Sequence, residues 1–322
     1  MKPYSMRSSI VGFDVLKLIM SFWVVAIHCW IKDFSDCLYR ISQLAVPCFF
    51  VISGFLLEKK TFNPNYYITW LRKIVRLYMI WIVIYLPFSI YQFLTCENPY
   101  SESFYWYIRN VFISGDFYQG WHLWYLLALI QVGSVMAILK RYNVHSEGIV
   151  IACFVLILIF TNGHNIYYIQ KATTLINKIY PNGRYVFFSG FVFMALGTLV
   201  SKWEFLRKNI FLSLFTLVVA LVLYVYQVHF SLYILSFALV NTVASVKSQK
   251  EKLCRIAYNV RNISTLIYLV HMVPLGIIDI YWNYELEFIP LFTYAIITSL
   301  ILSMLILYMS RFKKLYWLRN IW

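Results

Sequence analysis

Apolar residues in this chain come in runs of roughly twenty, separated by short polar segments. A helix that crosses a bilayer needs about 20 mostly apolar residues, and ten segments fit that pattern. They are Ile10–Trp30, Ile41–Leu57, Ile74–Leu94, Trp121–Leu139, Gly148–Thr161, Val186–Ser201, Ile210–Tyr226, Phe230–Ser245, Ile263–Trp282 and Phe288–Ser310. The seventh and eighth are joined by almost no loop, so Gln227–His229 is predicted to be a tight hairpin. The first run is too long for a cleavable leader, lacks a small-residue cleavage site, and carries Asp14, Lys17 and His28. The expectation is an all-α, polytopic membrane protein, with residues 1–322 forming one membrane domain and no soluble domain, linker or repeat beside it.

Composition agrees with the pattern. The chain is 61% hydrophobic and only 13% charged, whereas a soluble domain carries about 25% charged residues. Its formal net charge is +15, from 28 Lys and Arg against 13 Asp and Glu. A basic balance points to nucleic acid or to a membrane, depending on where the charges sit. With the N-terminus inside, 21 of the Lys and Arg fall in inner segments and six in outer ones, while Lys17 lies within the first span. Cytoplasmic loops collect Lys and Arg, so ten spans with both termini cytoplasmic follow, and the excess charge needs no nucleic acid. Trp70, Trp81, Trp121, Trp203 and Trp282 fall near predicted span ends, where interfacial aromatic belts form. Six scattered cysteines have no metal-ligand spacing, and Cys29, Cys37 and Cys96 share the outer side, which leaves a disulfide open.

Ionisable residues inside a span are costly and are functional candidates by default. The first span carries three. Lys17 and His28 are eleven residues apart, which on a helix returns to within about 20° of the same face after a rise of about 16 Å. Asp14 lies one turn below Lys17 and Ser21 one turn above. Such a stripe cannot face lipid. Taken singly, Asp14 and Lys17 read as an i,i+3 pair and His28 as an interfacial histidine on a carbonyl. Their alignment favours a functional face. His122, at the start of the fourth span, sits at the same outer level as His28, and His271 lies within the ninth; two histidines at one depth can form an acid/base site or merely anchor the interface. No metal-ligand spacing links them. Pro47 interrupts the second span and Ser53-Gly54 permits close helix approach, which packing alone also explains. Before the third span, Arg72 and Arg76 share one helix face beside Lys73. Guanidinium groups suit phosphate, and the positive-inside rule accounts for them equally well.

These residues together resemble the acyltransferase-3 family of integral-membrane acyltransferases, which O-acylate bacterial surface polysaccharides and related molecules. The resemblance rests on Asp14, Lys17 and His28 in the first span, Val46-Pro47 with Ser53-Gly54-Phe55 in the second, and Arg72 with Arg76. It also rests on His122-Leu123-Trp124-Tyr125-Leu126 and the late Tyr268-Leu269-Val270-His271. It covers nearly the whole chain. Lys17 departs from the family's usual Arg, keeping the charge and losing the bidentate fork. Some relatives carry a fused hydrolase-like or racemase domain; this chain ends 12 residues after the tenth span, so neither is expected.

What the resemblance implies is an O-acyltransferase of the cell (plasma or inner) membrane. Acyl-CoA, most often acetyl-CoA, is the cytoplasmic co-substrate, with no permanently bound cofactor and no metal. Its phosphates would meet Arg72 and Arg76, with Lys73 beside them. His28 would serve as general base, Lys17 would line the path of the pantetheine arm, and Asp14 would position Lys17 or balance its charge. His122, Trp124 and His271 would lie on the side of the acceptor, a glycan or lipid-linked sugar. The rival from another class is a transporter or flippase of a polar or glycan substrate, because intramembrane charge and a kinked helix occur there too. The acceptor, the acyl group and the oligomeric state are not legible in one sequence.

Overall fold

The computed structural model describes residues 10–59, 64–96, 99–162, 166–179, 186–247, 249–282 and 286–322, and all regular structure among them is helical. The predicted loop residues Lys2, Arg7, Lys60, His164 and Arg184 lie outside that set. The chain opens with α1 (Val11–His28), α2 (Ile31–Phe34), α3 (Asp36–Ser42) and α4 (Ala45–Glu58). The long α5 (Pro64–Thr95), α6 (Tyr100–Arg109), α7 (Trp124–Arg141), α8 (Ser146–Asn162) and α9 (Tyr167–Ile179) follow. Then come α10 (Val186–Lys202), α11 (Glu204–Lys208), α12 (Ile210–Val225) and α13 (Ser231–Ala244), and the series closes with α14 (Glu251–Val270), α15 (Met272–Trp282) and α16 (Phe288–Met309).

A helix occupies each of the ten predicted segments. Among the described residues, six stretches are long and apolar enough to cross a membrane: Val11–His28, Asp36–Glu58, Tyr66–Thr95, Trp121–Arg141, Glu251–Tyr281 and Phe288–Met309. Four more apolar helices, Ser146–Ile159, Gly190–Lys202, Ile210–Val225 and Ser231–Ala244, run 10–17 residues. A 16-residue helix is about 24 Å long, against an apolar bilayer core of about 30 Å. Side chains such as Val83, Phe215, Val218 and Ile301 are well exposed on these helices. A helix that turns apolar residues outward as well as inward needs lipid as its solvent. The predicted hairpin is present: α12 and α13 are joined by a turn in which Gln227 (φ 56°) and Phe230 (φ 64°) reverse the backbone.

Two proline effects move helix boundaries away from the predicted ones. A proline at position i has no N–H for the carbonyl of i−4, and its ring crowds that carbonyl. Pro47 therefore breaks the second span at Gln43–Leu44, between α3 and α4, rather than kinking it at Pro47 itself. Pro274 acts in the same way on the ninth span. The carbonyl of Val270 loses its helical donor, and the chain breaks at His271 between α14 and α15. Non-helical backbone at membrane depth survives only where it is buried in protein or lines a wet cavity, and Val270, His271 and Met272 are all buried.

The helices form two compact units. The first holds α1 to α3, α4 as far as Ser53, and the chain from Val200 onward. The second runs from Gly54 to Leu199. Within the second, Gly54 lets α4 approach α10 closely: a Cβ there would lie 2.0 Å from the carbonyl oxygen of Met194. Trp81, expected in an interfacial belt, is instead 1% exposed and packs against Tyr85 in this core. The side chain of Trp282 lies outside the described residues. All six cysteines are free thiols, so the outer disulfide is not formed.

Candidate functional site

In the first unit α1 is one unbroken helix from Val11 to His28. Asp14, Lys17 and His28 therefore keep the shared face that their spacing predicts. Asp14 is 2% exposed, while Lys17 and His28 are half-buried. The helix stops after His28 because Trp30 turns into the left-handed region (φ 64°), a common way to end a helix.

The Asp14 carboxylate is gripped by Arg261 of α14. Arg261 donates from Nε to Oδ1 at 2.7 Å and from a terminal nitrogen to Oδ2 at 2.9 Å. This is the bidentate fork for which guanidinium and carboxylate are matched. Arg261 is one of the 21 inner-segment charges and lies just ahead of the ninth predicted span, Ile263–Trp282. No Gly or Pro interrupts Glu251–Val270, so the helix begins well before the apolar stretch and carries Arg261 up beside α1. The missed signal was the combination of a buried Asp14 in need of a partner and an uninterrupted helical run ten residues ahead of His271.

At the other end of the same two helices, His28 meets His271. Their ring centroids are 5.2 Å apart and the planes are tilted by 43°. His271 is fully buried, and its Nδ1 lies 2.8 Å from the carbonyl oxygen of Tyr268 and 3.2 Å from that of Ile267. The ring thus caps the last turn of α14, where helix carbonyls lose their intrahelical donors. Tyr268 extends the cluster, with its ring 6.2 Å from His271 and 5.9 Å from Phe49. Ion pair and histidine pair together make α1 and α14 parallel neighbours. Fourteen residues of α1 separate the two contacts, against ten of α14, a rise of about 21 Å against about 15 Å. The long Arg261 side chain spans the difference.

The other sequence-predicted residues belong to the second unit. Arg72, Lys73 and Arg76 are exposed on α5, with Arg72 and Arg76 one turn apart. On its other side that helix seats Trp70 against Gly133 of α7. Nearby, Glu58 and Lys140 form an ion pair at 2.6 Å, their side chains only 12% and 19% exposed. His122 lies in a single 3-10 turn, Trp121–Leu123, ahead of α7. It is 1% exposed and meets the ring of Tyr85 edge-on at 5.2 Å. Trp124, half-buried, is the first residue of α7. The backbone before this turn is irregular: a π-helical turn at Asn110–Ser114 ends on Gly115 at φ 70°. A Cβ on Gly115 would lie 2.5 Å from the Cα of Trp124, so glycine is required by both conformation and space. His271, grouped by sequence with His122 and Trp124, lies beside His28 in the first unit.

A family model described as an acyltransferase domain, that of the acyltransferase-3 family, matches residues 10–308. Among curated proteins the chain is similar to an amino-acid racemase of Enterococcus faecalis, at 27% identity over 224 residues, covering 64% of this chain and 30% of the relative. A second amino-acid racemase of that organism is 29% identical over 181 residues, 52% of this chain and 25% of the relative. A serine/alanine racemase of Enterococcus gallinarum is 26% identical over 226 residues, 64% and 31% respectively. The chain therefore spans less than a third of the length of these curated relatives. No solved structure matches.

Proposed function

Because the chain belongs to the acyltransferase-3 family, and is thereby a multi-pass membrane acyltransferase, we propose that it moves an acyl group, most simply acetyl, from cytoplasmic acyl-CoA to a hydroxyl of a cell-envelope glycan or another exported acceptor. The observation that carries this reading is the polar face of α1, held against α14 by the Asp14–Arg261 fork at one end and the His28–His271 contact at the other. In the proposed topology residues 1–322 form one domain of ten spans in the cell membrane, with both termini cytoplasmic. The parallel run of α1 and α14 supports it, since the first and ninth spans of an alternating chain point the same way.

In this reading the cytoplasmic face receives the donor. Arg72 and Arg76, exposed and one turn apart on α5, hold its phosphates, with Lys73 beside them. Lys17 lines the way in. Its ammonium is a point charge without the fork of a guanidinium. Asp14, whose carboxylate accepts the Arg261 fork, keeps α1 in register with α14 and positions Lys17 or balances its charge. His28 is the general base. As the acceptor hydroxyl oxygen attacks the thioester carbonyl, its proton passes to His28; the C–O bond forms, the C–S bond breaks, and the proton goes on to the departing thiolate. An imidazole titrates near neutral pH, which suits a group that must take and return one proton. His122 and Trp124 are assigned to the acceptor side.

The names of the curated relatives favour one second reading. Chains named amino-acid racemases share this membrane region, so a domain that passes an amino acid or another small polar molecule across the bilayer has an observation behind it. Labelled acetyl-CoA and an envelope-glycan extract, offered to the purified protein, separate the two. Acyl transfer predicts label on the glycan. Absence of label, together with amino-acid flux into proteoliposomes, would establish transport instead.

The donor site makes its own prediction. Changing Arg72 and Arg76 together to Ala removes two phosphate contacts of about 1.5–3 kcal/mol each at most. Surface exposure lowers that, so a loss of about tenfold or more in acetyl-CoA affinity is expected by isothermal titration. An unchanged affinity would return both arginines to a purely topological role.

A further inference from the structure

Between Arg311 and Trp322 the chain holds four cations, Arg311, Lys313, Lys314 and Arg319, and no Asp or Glu. Other basic side chains of the first unit meet a carboxylate: Arg207 and Lys208 pair with Glu204, and Arg255 with Glu251. Among the described residues no carboxylate side chain pairs with any of these four. The segment also folds sideways. α16 ends at Met309, and Phe312 takes an extended backbone (φ −77°, ψ 134°) ahead of a 3-10 helix at Lys313–Asn320. Arg319 Nε then donates to the carbonyl oxygen of Ser310 at 3.3 Å. Nine residues continued along the axis of α16 would end about 14 Å further on, out of reach of that contact. The segment therefore turns across the end of α16, along the bilayer surface. Leu315 and Leu318 are half-buried and Ile321 is buried, at the three-residue spacing of a 3-10 helix. Phe312, Tyr316 and Trp317 instead expose half of their surface or more, and Arg311, Lys313 and Lys314 are exposed among them. The Arg319 guanidinium is taken up by the fold, lying 3.7 Å over the Tyr316 ring.

We propose that residues 311–322 are a docking surface for anionic phospholipids. Arg311, Lys313 and Lys314 hold the headgroup phosphates, and the rings of Phe312 and Trp317 enter the boundary between headgroups and acyl chains. Basic clusters directly after a span attract anionic lipid, and the attraction fades within a Debye length, about 10 Å at 0.1 M salt. Only charges kept at the surface feel it, and the Arg319–Ser310 contact keeps these there. Tyr and Trp rings favour the same layer. The positive-inside rule accounts for the sign of the charge, but not for the exposed rings or the sideways turn. The phosphates of acyl-CoA share the anionic chemistry, yet aromatic rings interleaved with the cations match a lipid surface better. In the proposed topology the leaflet is the cytoplasmic one. Lipid docking goes beyond acyl transfer and does not depend on it; it requires only that α16 span the bilayer.

The full chain in detergent is titrated with dioctanoyl phosphatidylglycerol or dioctanoyl phosphatidylcholine, and bound lipid is counted by native mass spectrometry. One basic side chain at an anionic surface contributes about fivefold in binding. The wild type is therefore expected to prefer phosphatidylglycerol by about tenfold or more. In the triple variant Arg311→Gln, Lys313→Gln, Lys314→Gln that preference should vanish, with phosphatidylcholine binding unchanged. Changing Lys247, Lys250 and Lys252 to Gln removes as much charge from another inner segment. Charges outside the contact are screened, so this control should keep the preference within about twofold of wild type. No preference in the wild type would overturn the proposal. So would a triple variant that keeps it, or a control that loses as much, since net charge alone would then explain the binding. A triple variant that loses acetyl-CoA affinity and still prefers phosphatidylglycerol would give the segment to the donor and also overturn lipid docking. Should the triple variant not accumulate, a photoactivatable phosphatidylglycerol decides on the wild type. Adducts on residues 311–322 support the docking surface, and their absence there overturns it.

Discussion

His28→Ala is expected to lower acyl transfer by about 100- to 10,000-fold, the usual range for removing a general base. Expression and thermal stability should stay close to wild type. His28 is half-buried at the end of α1, and its truncation opens only a small space beside His271. The loss should appear in kcat, because the reading places the donor's phosphates on Arg72 and Arg76 in another part of the chain. Single-turnover transfer of labelled acetyl, measured with saturating acetyl-CoA, reads this directly. Activity within a few-fold of wild type would remove His28 from the chemistry.

Arg261→Ala is expected to act on the fold. It leaves the Asp14 carboxylate, 2% exposed, without the fork that compensates its burial. Breaking a buried ion pair from one side costs about 3–5 kcal/mol. The Arg261 side chain is 43% exposed, so water fills part of the gap and about 3 kcal/mol or somewhat less is expected, seen as a clear fall in melting temperature in detergent. Asp14→Asn in the same background should recover part of the loss, because a neutral amide is cheaper to bury than a carboxylate. A double-mutant cycle then isolates the coupling. An Arg261→Ala protein that melts with wild type would mean that the pair contributes nothing to holding α1 on α14.

Much of the helical frame was legible because lipid imposes a simple rule: long apolar runs must be helices. Each of the ten runs is helical. Boundaries were less legible at Pro47 and Pro274, which act four residues upstream of themselves, while Pro87 leaves α5 unbroken. Pro47 and Pro274 each shift a break to a place that hydropathy does not mark, and the second shift gives His271 its role as a helix cap. The stripe of Asp14, Lys17 and His28 was legible because it depends only on helical period. Its partners were not. Arg261 looked like one more cytoplasmic charge, and His271 like a companion of His122, because each pairing joins residues about 245 positions apart. Periodicity within one helix cannot reveal which residue a neighbouring helix brings. The irregular backbone from Asn110 to Leu123, which places the buried His122, was equally hidden, since π-turns and a left-handed glycine have no strong single-residue signal.

The account's central claim is that an acyl group leaves acetyl-CoA and arrives on a cell-envelope hydroxyl by way of His28. The most direct measurement is the mass of envelope glycans from cells producing the wild-type chain, compared with cells producing His28→Ala at equal membrane level. The account predicts a glycan heavier by one acyl unit per modified repeat in the wild type and the unmodified mass in the variant. Identical masses in the two, with both proteins present in the membrane, would contradict it.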